Sequence, residues 1–190
     1  MIHTGVSWYV GIPASGKTTL AGHHAADFVA RSGWPCIVVD TEGAAQADIA
    51  QRAASLSDVI ELAWGERQSC AWQPDDLREV VALAHAAREA GQVALLIDEA
   101  ACYVTSRRGR EGPILRLMRA HRHAQVRLYL TTQHLSGDVP QEAISCAPDL
   151  FVFRNEARVV LDRLEADYNL PRDVVSKLPQ GAYLHKRLGF

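Results

Sequence analysis

Short apolar runs alternate along the chain with longer segments of helical spacing, the pattern of βα units built around a mostly parallel sheet. The runs "SWYV", "CIVVD", "VALLID", "RLYLTT", "LFVFR" and "AYLHK" predict six strands. Between the first two, the spacing predicts a helix from about Thr18 to Arg31, ended by Ser32-Gly33 and Pro35. "PDDLREVVALAHAAREAG" opens with proline and acids and closes on Gly91, which predicts a second helix over Asp75 to Glu89. Between Asp40 and Gln73 the pattern is harder to read. There "EGAAQADIAQRAASL" reads as helical and "DVIEL" as a short strand.

Composition narrows this picture. With 190 residues, 48% hydrophobic and 22% charged, the chain suits one well-packed core and is short for two. No repeat, low-complexity tract or linker divides it, so a single domain over residues 1–190 is expected. The net charge of -2 argues against a generally basic coat protein or histone-like binder. Any nucleic-acid contact must be local, and the basic residues are indeed unevenly placed. Arg107, Arg108, Arg110, Arg116, Arg119, Arg122 and Arg127 fall within 21 positions whose only acid is Glu111. Cys36, Cys70, Cys102 and Cys146 lie more than thirty residues apart, without the close pairs of zinc or redox motifs, and read as small apolar residues in a reducing compartment. The N-terminal "MIHTGVSWYVG" does not read as a signal peptide, and no stretch reaches the roughly 18 apolar residues of a membrane span. A soluble chain is expected unless a partner holds it at a membrane.

The candidate chemistry begins at "GIPASGKTT". Gly11, Gly16, Lys17 and Thr18 match G-x-x-x-x-G-K-[ST], after an apolar strand and at the start of a helix, where a phosphate-binding loop must sit. Across Gly11, Pro13, Ala14, Ser15, Gly16, Lys17, Thr18 and Thr19, backbone N–H groups and the helix N-terminus can wrap the phosphates of a nucleotide. Lys17 would reach the β and γ phosphates, and the Thr18 hydroxyl would ligate Mg²⁺. "VALLIDEA" ends an apolar strand in two carboxylates, 81 residues after Lys17. Asp98 is assigned to hold Mg²⁺ through water, and Glu99 to orient and polarise the attacking water. The pair points to hydrolysis rather than kinase chemistry. "RLYLTTQ" would bring Thr131, Thr132 and Gln133 out on the same side of the sheet, where Gln133 could bond the γ phosphate or the water; a glutamine that caps a turn is the plainer alternative.

These stretches, with "RAHRHAQVRLYLTTQ" and "DVPQEAISCAPDLFVFRN", resemble the FtsK/HerA superfamily of DNA-pumping ATPases over Trp8 to about Leu184. "DEA", the "HRH" at 121 to 123 and the strand ending in "TTQ" are especially similar to packaging ATPases of membrane-containing viruses and to Zot-like assembly ATPases of filamentous phages. The resemblance implies a P-loop NTPase of RecA-like, additional-strand α/β fold, with the strand ending at Gln133 between the P-loop strand and the strand ending at Asp98. It implies ATP with Mg²⁺, a homo-oligomeric ring, commonly a hexamer, and double-stranded DNA as the partner. It also puts Arg122, with Arg119 as alternative, at the position of an arginine that completes the neighbouring subunit's site. Without the resemblance, Arg122 reads as a solvated arginine at a helix end.

"TSRRGREGP" has the composition of a flexible basic loop, so Arg107, Arg108 and Arg110 are candidates for DNA backbone contact; an ordinary solvated or interface loop is the alternative. Eight histidines form no metal-like spacing, and no metal site other than that of Mg²⁺ is expected. Lacking the membrane segment of typical Zot-like proteins, the chain looks more like a minimal motor that packages a viral genome, working in the infected host's cytoplasm or at the packaging vertex of the virion with capsid or membrane portal proteins. The competing readings are a Zot-like ATPase that exports single-stranded DNA, a small-molecule P-loop kinase, and a nucleotide-gated interaction protein.

Overall fold

The computed structural model describes residues 4–41, 51–104, 112–135 and 139–188. Its first strand, β1 (Gly5–Val10), runs into the glycine loop and the helix α1 (Lys17–Ser32), followed by β2 (Cys36–Val39). Next come the short β3 (Gln51–Arg52), α2 (Leu56–Ile60) with a π-helical turn over Glu61–Gly65, β4 (Cys70–Trp72), α3 (Leu77–Ala90) and β5 (Val93–Ile97). The second half holds α4 (Ala101–Val104), α5 (Pro113–Ala124), β6 (Val126–Thr132), α6 (Gln141–Ser145), β7 (Asp149–Phe153), α7 (Arg158–Tyr168), α8 (Arg172–Ser176) and β8 (Tyr183–Arg187).

The strands form one eight-stranded sheet in the order β3-β4-β2-β5-β6-β1-β7-β8. Every pairing is parallel except that of β7 with β8. As the resemblance implies, β6 lies between β1 and β5, paired Val10 to Thr132 on one side and Ile97 to Leu130 on the other. The central strands are buried along their whole length, which is why they read as unbroken apolar runs. Their alternation sorts side chains to opposite faces: Trp8, Val10, Leu95, Ile97, Leu128 and Leu130 to one, Tyr9, Val38, Leu96 and Tyr129 to the other. Helix α1 covers the second face through Ala21, Ala25 and Phe28, while α3, α5 and α7 cover the first through Leu83, Leu117 and Leu164.

Helix ends follow local chemistry. The Asp76 carboxylate accepts from the N–H groups of Arg78 and Glu79 at 2.6 and 3.2 Å, starting α3, and Pro113 opens α5. The strand expected from "DVIEL" is instead helix. Ser55 Oγ accepts from the Asp58 N–H at 3.2 Å and Asp58 Oδ2 accepts from the Ser55 N–H at 3.0 Å, a reciprocal cap. Val59, Leu62 and Ala63 then bury one helical stripe. The helix expected over "EGAAQADIAQRAASL" also fails in its described part: Gln51 and Arg52 pair with Cys70 and Ala71 as an edge strand. Residues 42–50 of that stretch lie outside the described residues.

Candidate functional site

Because β1, β2, β5 and β6 are parallel, their carboxyl ends meet along one edge of the sheet, the usual ligand-binding edge of such folds. The glycine loop crosses that edge and is tied to both flanking strands: the Gly11 N–H donates to the Thr132 carbonyl and the Ile12 N–H to the Arg154 carbonyl, each at 3.1 Å. Gly11 is required by packing, since a Cβ there would lie 2.6 Å from Ser15 Oγ and 2.7 Å from Phe153 Cβ. Gly16 has φ 98°, in the left-handed region, as the chain turns into α1. Pro13, Ala14 and Thr19 are exposed, whereas Ser15 and Lys17 are buried. Ser15 Oγ is buried without a hydrogen-bond partner, an orphan polar group within the glycine loop of the kind a phosphate oxygen would satisfy.

Opposite the loop, β5 delivers Asp98 and Glu99. The Thr18 hydroxyl donates to Asp98 Oδ1 at 3.2 Å, and the Thr131 hydroxyl, from the end of β6, donates to the same oxygen. Thr131 Oγ1 also accepts from the Glu99 N–H at 3.3 Å, so one hydroxyl fixes the backbone and side chain of adjacent carboxylate residues. Glu99 itself has φ 47°, a left-handed conformation that costs a non-glycine residue and aims its carboxylate back across the loop. Glu99 Oε1 lies 3.6 Å from Lys17 Nζ, and Glu99 Oε2 accepts from the Gln133 N–H at 3.1 Å. Lys17, Thr18, Asp98, Glu99 and Gln133, drawn from three stretches of sequence, therefore converge. For Gln133 the contact seen is through its backbone.

The donor set suits a hard cation. A hydroxyl and a carboxylate match Mg²⁺, which takes few protein oxygens and keeps waters and phosphate oxygens. Among the described residues no group of three or more His, Cys, Asp or Glu side chains forms another metal site.

Arg122 stands apart from this edge. It is exposed in the last turn of α5, just before β6 begins, and β6 separates it from Gln133. Seven strand residues span roughly 20 Å. In its own chain Arg122 thus sits at the opposite edge of the sheet from Glu99. Arg119 is engaged by Glu142 of α6. Of the neighbouring histidines, His123 is exposed, whereas His121 is buried with its ring nitrogen 2.6 Å from the Met118 carbonyl. Arg107, Arg108 and Arg110 lie outside the described residues.

Three contributors to the site carry no motif. Thr41 Oγ1 donates to the Asp98 carbonyl at 2.6 Å. The turn before β8 covers the glycine loop: Gln180 Nε2 donates to the Ala14 carbonyl at 3.3 Å and the Gly181 N–H to the Ser15 carbonyl at 3.2 Å. Asn155, beyond β7, donates to the Gln133 carbonyl at 3.3 Å.

The fold matches solved structures along nearly its whole length. The genome packaging NTPase B204 from Sulfolobus turreted icosahedral virus 2, in complex with sulfate, gives a TM-score of 0.78 over 98% of this chain and 92% of that one, at 22% identity. The DNA-packaging ATPase B204 from Sulfolobus turreted icosahedral virus gives 0.74 over 98% of both chains, at 19% identity. The pCW3 conjugation coupling protein TcpA, with ATPγS, gives 0.66 over 97% of this chain and 57% of that one, at 14% identity. No protein-family model matches the chain, and no curated protein matches its sequence. At these identities the likeness establishes the fold, that of a P-loop NTPase.

Proposed function

We propose that this chain is an ATP-hydrolysing motor subunit that works in a ring and drives double-stranded DNA, as the packaging motor of a viral capsid. The observation that carries the hydrolytic part is the meeting of Lys17, Thr18, Asp98, Glu99 and Gln133 at one edge of the sheet. The fold shared with a DNA-packaging ATPase and a conjugation coupling protein supports the choice of DNA as cargo.

In this reading the loop amides, Lys17 and the Ser15 hydroxyl take the phosphates of ATP. Lys17 now faces Glu99, so arrival of phosphate oxygens draws the ammonium away and leaves the carboxylate free to accept a proton from water. Thr18 and Asp98 would hold Mg²⁺, which when bound supplies Lewis-acid stabilisation of phosphate charge. The Gln133 N–H orients Glu99, and its side chain can reach the γ phosphate or the water. A carboxylate positioned for water rather than for a second substrate is what separates this site from a kinase's.

Arg122 cannot serve its own nucleotide from the far edge of the sheet, but a neighbour packed head to tail can present it. An arginine supplied in this way stabilises the transition state only when the interface is closed, which couples hydrolysis to assembly. We assign the ring as a hexamer, acting in the infected host's cytoplasm against a portal or capsid protein, with Arg107, Arg108 and Arg110 facing the DNA backbone. The first test is ATP turnover by the purified chain with and without double-stranded DNA. Stimulation by duplex is expected; phosphate transfer to a small acceptor, or stimulation by single strands alone, would contradict the reading.

A further inference from the structure

We propose that Asn155 is a positioning residue for the attacking water, acting through the backbone of Gln133 on Glu99; this rests on the ATPase reading above. Asn155 is 0% exposed, yet it lies between the exposed residues Arg154 and Glu156 in the turn after β7. Burying a primary amide so near the surface is costly unless both of its ends are bonded. They are. Oδ1 accepts from the Ala157 N–H at 3.0 Å, and Nδ2 donates to the Gln133 carbonyl at 3.3 Å.

The two bonds make different demands. The bond to the Ala157 N–H, which closes the turn just ahead of α7, needs only a side-chain oxygen, which Asp or Ser would supply as well. The bond to Gln133 needs a donor of this length, and among these residue types only the amide carries its acceptor and its donor on separate atoms, so that both bonds can form at once. On the other side of its α-carbon, Gln133 gives its N–H to Glu99 Oε2 at 3.1 Å, and the remaining Glu99 oxygen faces Lys17 at 3.6 Å. The backbone of Gln133 is thus pinned on both sides, by Asn155 behind and Glu99 in front. Further along, Arg163 of α7 donates to the carbonyls of Leu135 and Val139 at 3.4 and 2.7 Å, so α7 also grips the segment that follows. Asn155 is the grip nearest to Glu99. The carbonyl before it, that of Arg154, receives the Ile12 N–H at 3.1 Å, so the same turn sets Glu99 in register with the phosphate loop.

The consequence is a separation of turnover from binding. The glycine loop keeps its own backbone bonds to Thr132 and Arg154 when the Asn155 amide is altered, so phosphate affinity should persist while Glu99 loses its fixed orientation. Asn155→Asp keeps the oxygen for Ala157 and sets a second oxygen against the Gln133 carbonyl. Asn155→Ser keeps an oxygen for the Ala157 N–H and falls short of Gln133. In the wild-type chain and both variants, we would measure kcat for ATP, the Kd of ATPγS and the thermal unfolding midpoint.

Both variants should lose about 10- to 100-fold in kcat, the scale of a misplaced catalytic group, with ATPγS affinity retained. Wild-type kcat in the variants, or ATPγS affinity falling in step with kcat, would overturn the role; should the buried carboxylate of Asn155→Asp unfold the chain, Asn155→Ser decides. A wild-type chain that turns over no ATP would overturn the ATPase reading and this role with it. Wild-type turnover beside unimpaired variants would overturn the Asn155 role alone.

Discussion

Glu99 is held by three contacts that act on different parts of it: Thr131 on its N–H, Gln133 on Oε2 and Lys17 facing Oε1. This explains how a residue with φ 47° keeps a conformation that costs about 1–3 kcal/mol. Glu99→Gln preserves the shape and removes the base, so turnover should fall by about 10²- to 10⁴-fold with ATPγS binding retained, the range expected of a general base. Equal loss of both would count against its assignment. Thr131→Val keeps the volume but deletes the hydroxyl that serves Asp98 and the Glu99 N–H. A hydrogen bond to a charged group is worth about 1.5–3 kcal/mol, so kcat should drop by about 10- to 100-fold. Single-turnover assays of both proteins would check these losses. The loop and the Asp98-Glu99 pair stood out in the sequence because glycines, lysine and paired acids at strand ends are rare in combination. Thr41, Asn155 and Gln180 did not, because each reaches the site through a tertiary contact, 57, 22 and 166 residues away in the chain.

At the scale of elements, the joint between α3 and β5 shows how one glycine fixes a path. Gly91 has φ 64° and ψ -164°, a region open in practice to glycine alone, and a Cβ there would lie 2.6 Å from the Ala124 carbonyl. Gly91→Ala should destabilise the fold by about 1–3 kcal/mol, read as a lower denaturant midpoint at unchanged slope. Its effect should be on stability rather than on nucleotide affinity, since the joint lies at the edge of the sheet away from the loop. The six strands expected from sequence are all present: five are legible because strands buried on both faces are apolar throughout, while β8, at the edge, alternates between exposed and half-buried positions. The two that escaped notice are only two and three residues long, β3 at the edge of the sheet and exposed at both positions, β4 just inside it. "DVIEL" misled because five residues with two charges fit either period, and the decisive signal was the cap that its first residue, Asp58, forms with Ser55 upstream.

Over the molecule as a whole, two histidines couple folding to pH. His24 is held below its ordinary value of 6.5, first by burial and then by Arg127, and its Nδ1 lies 2.7 Å from the Tyr9 hydroxyl, a donor whose own pKa burial raises. His121 is also held below 6.5, chiefly by burial. Both are more readily protonated in the unfolded chain. Their contribution to stability is therefore complete above pH 6.5 and is lost as pH falls from there toward the lower folded values. Urea titrations between pH 7.5 and about 5 should show a falling unfolding free energy, flattened in His24→Gln; a pH-independent wild type would contradict this.

On the proposed reading a single copy does not complete its own site, because Arg122 and Glu99 lie at opposite edges of one sheet. The most direct test of the central claim is the specific ATPase activity with double-stranded DNA, followed across protein concentration, for wild type and Arg122→Ala. A ring motor with a trans arginine predicts activity that rises steeply with concentration and falls by about 10³-fold or more in the variant. A flat, DNA-insensitive rate, equal in the two proteins, would contradict it.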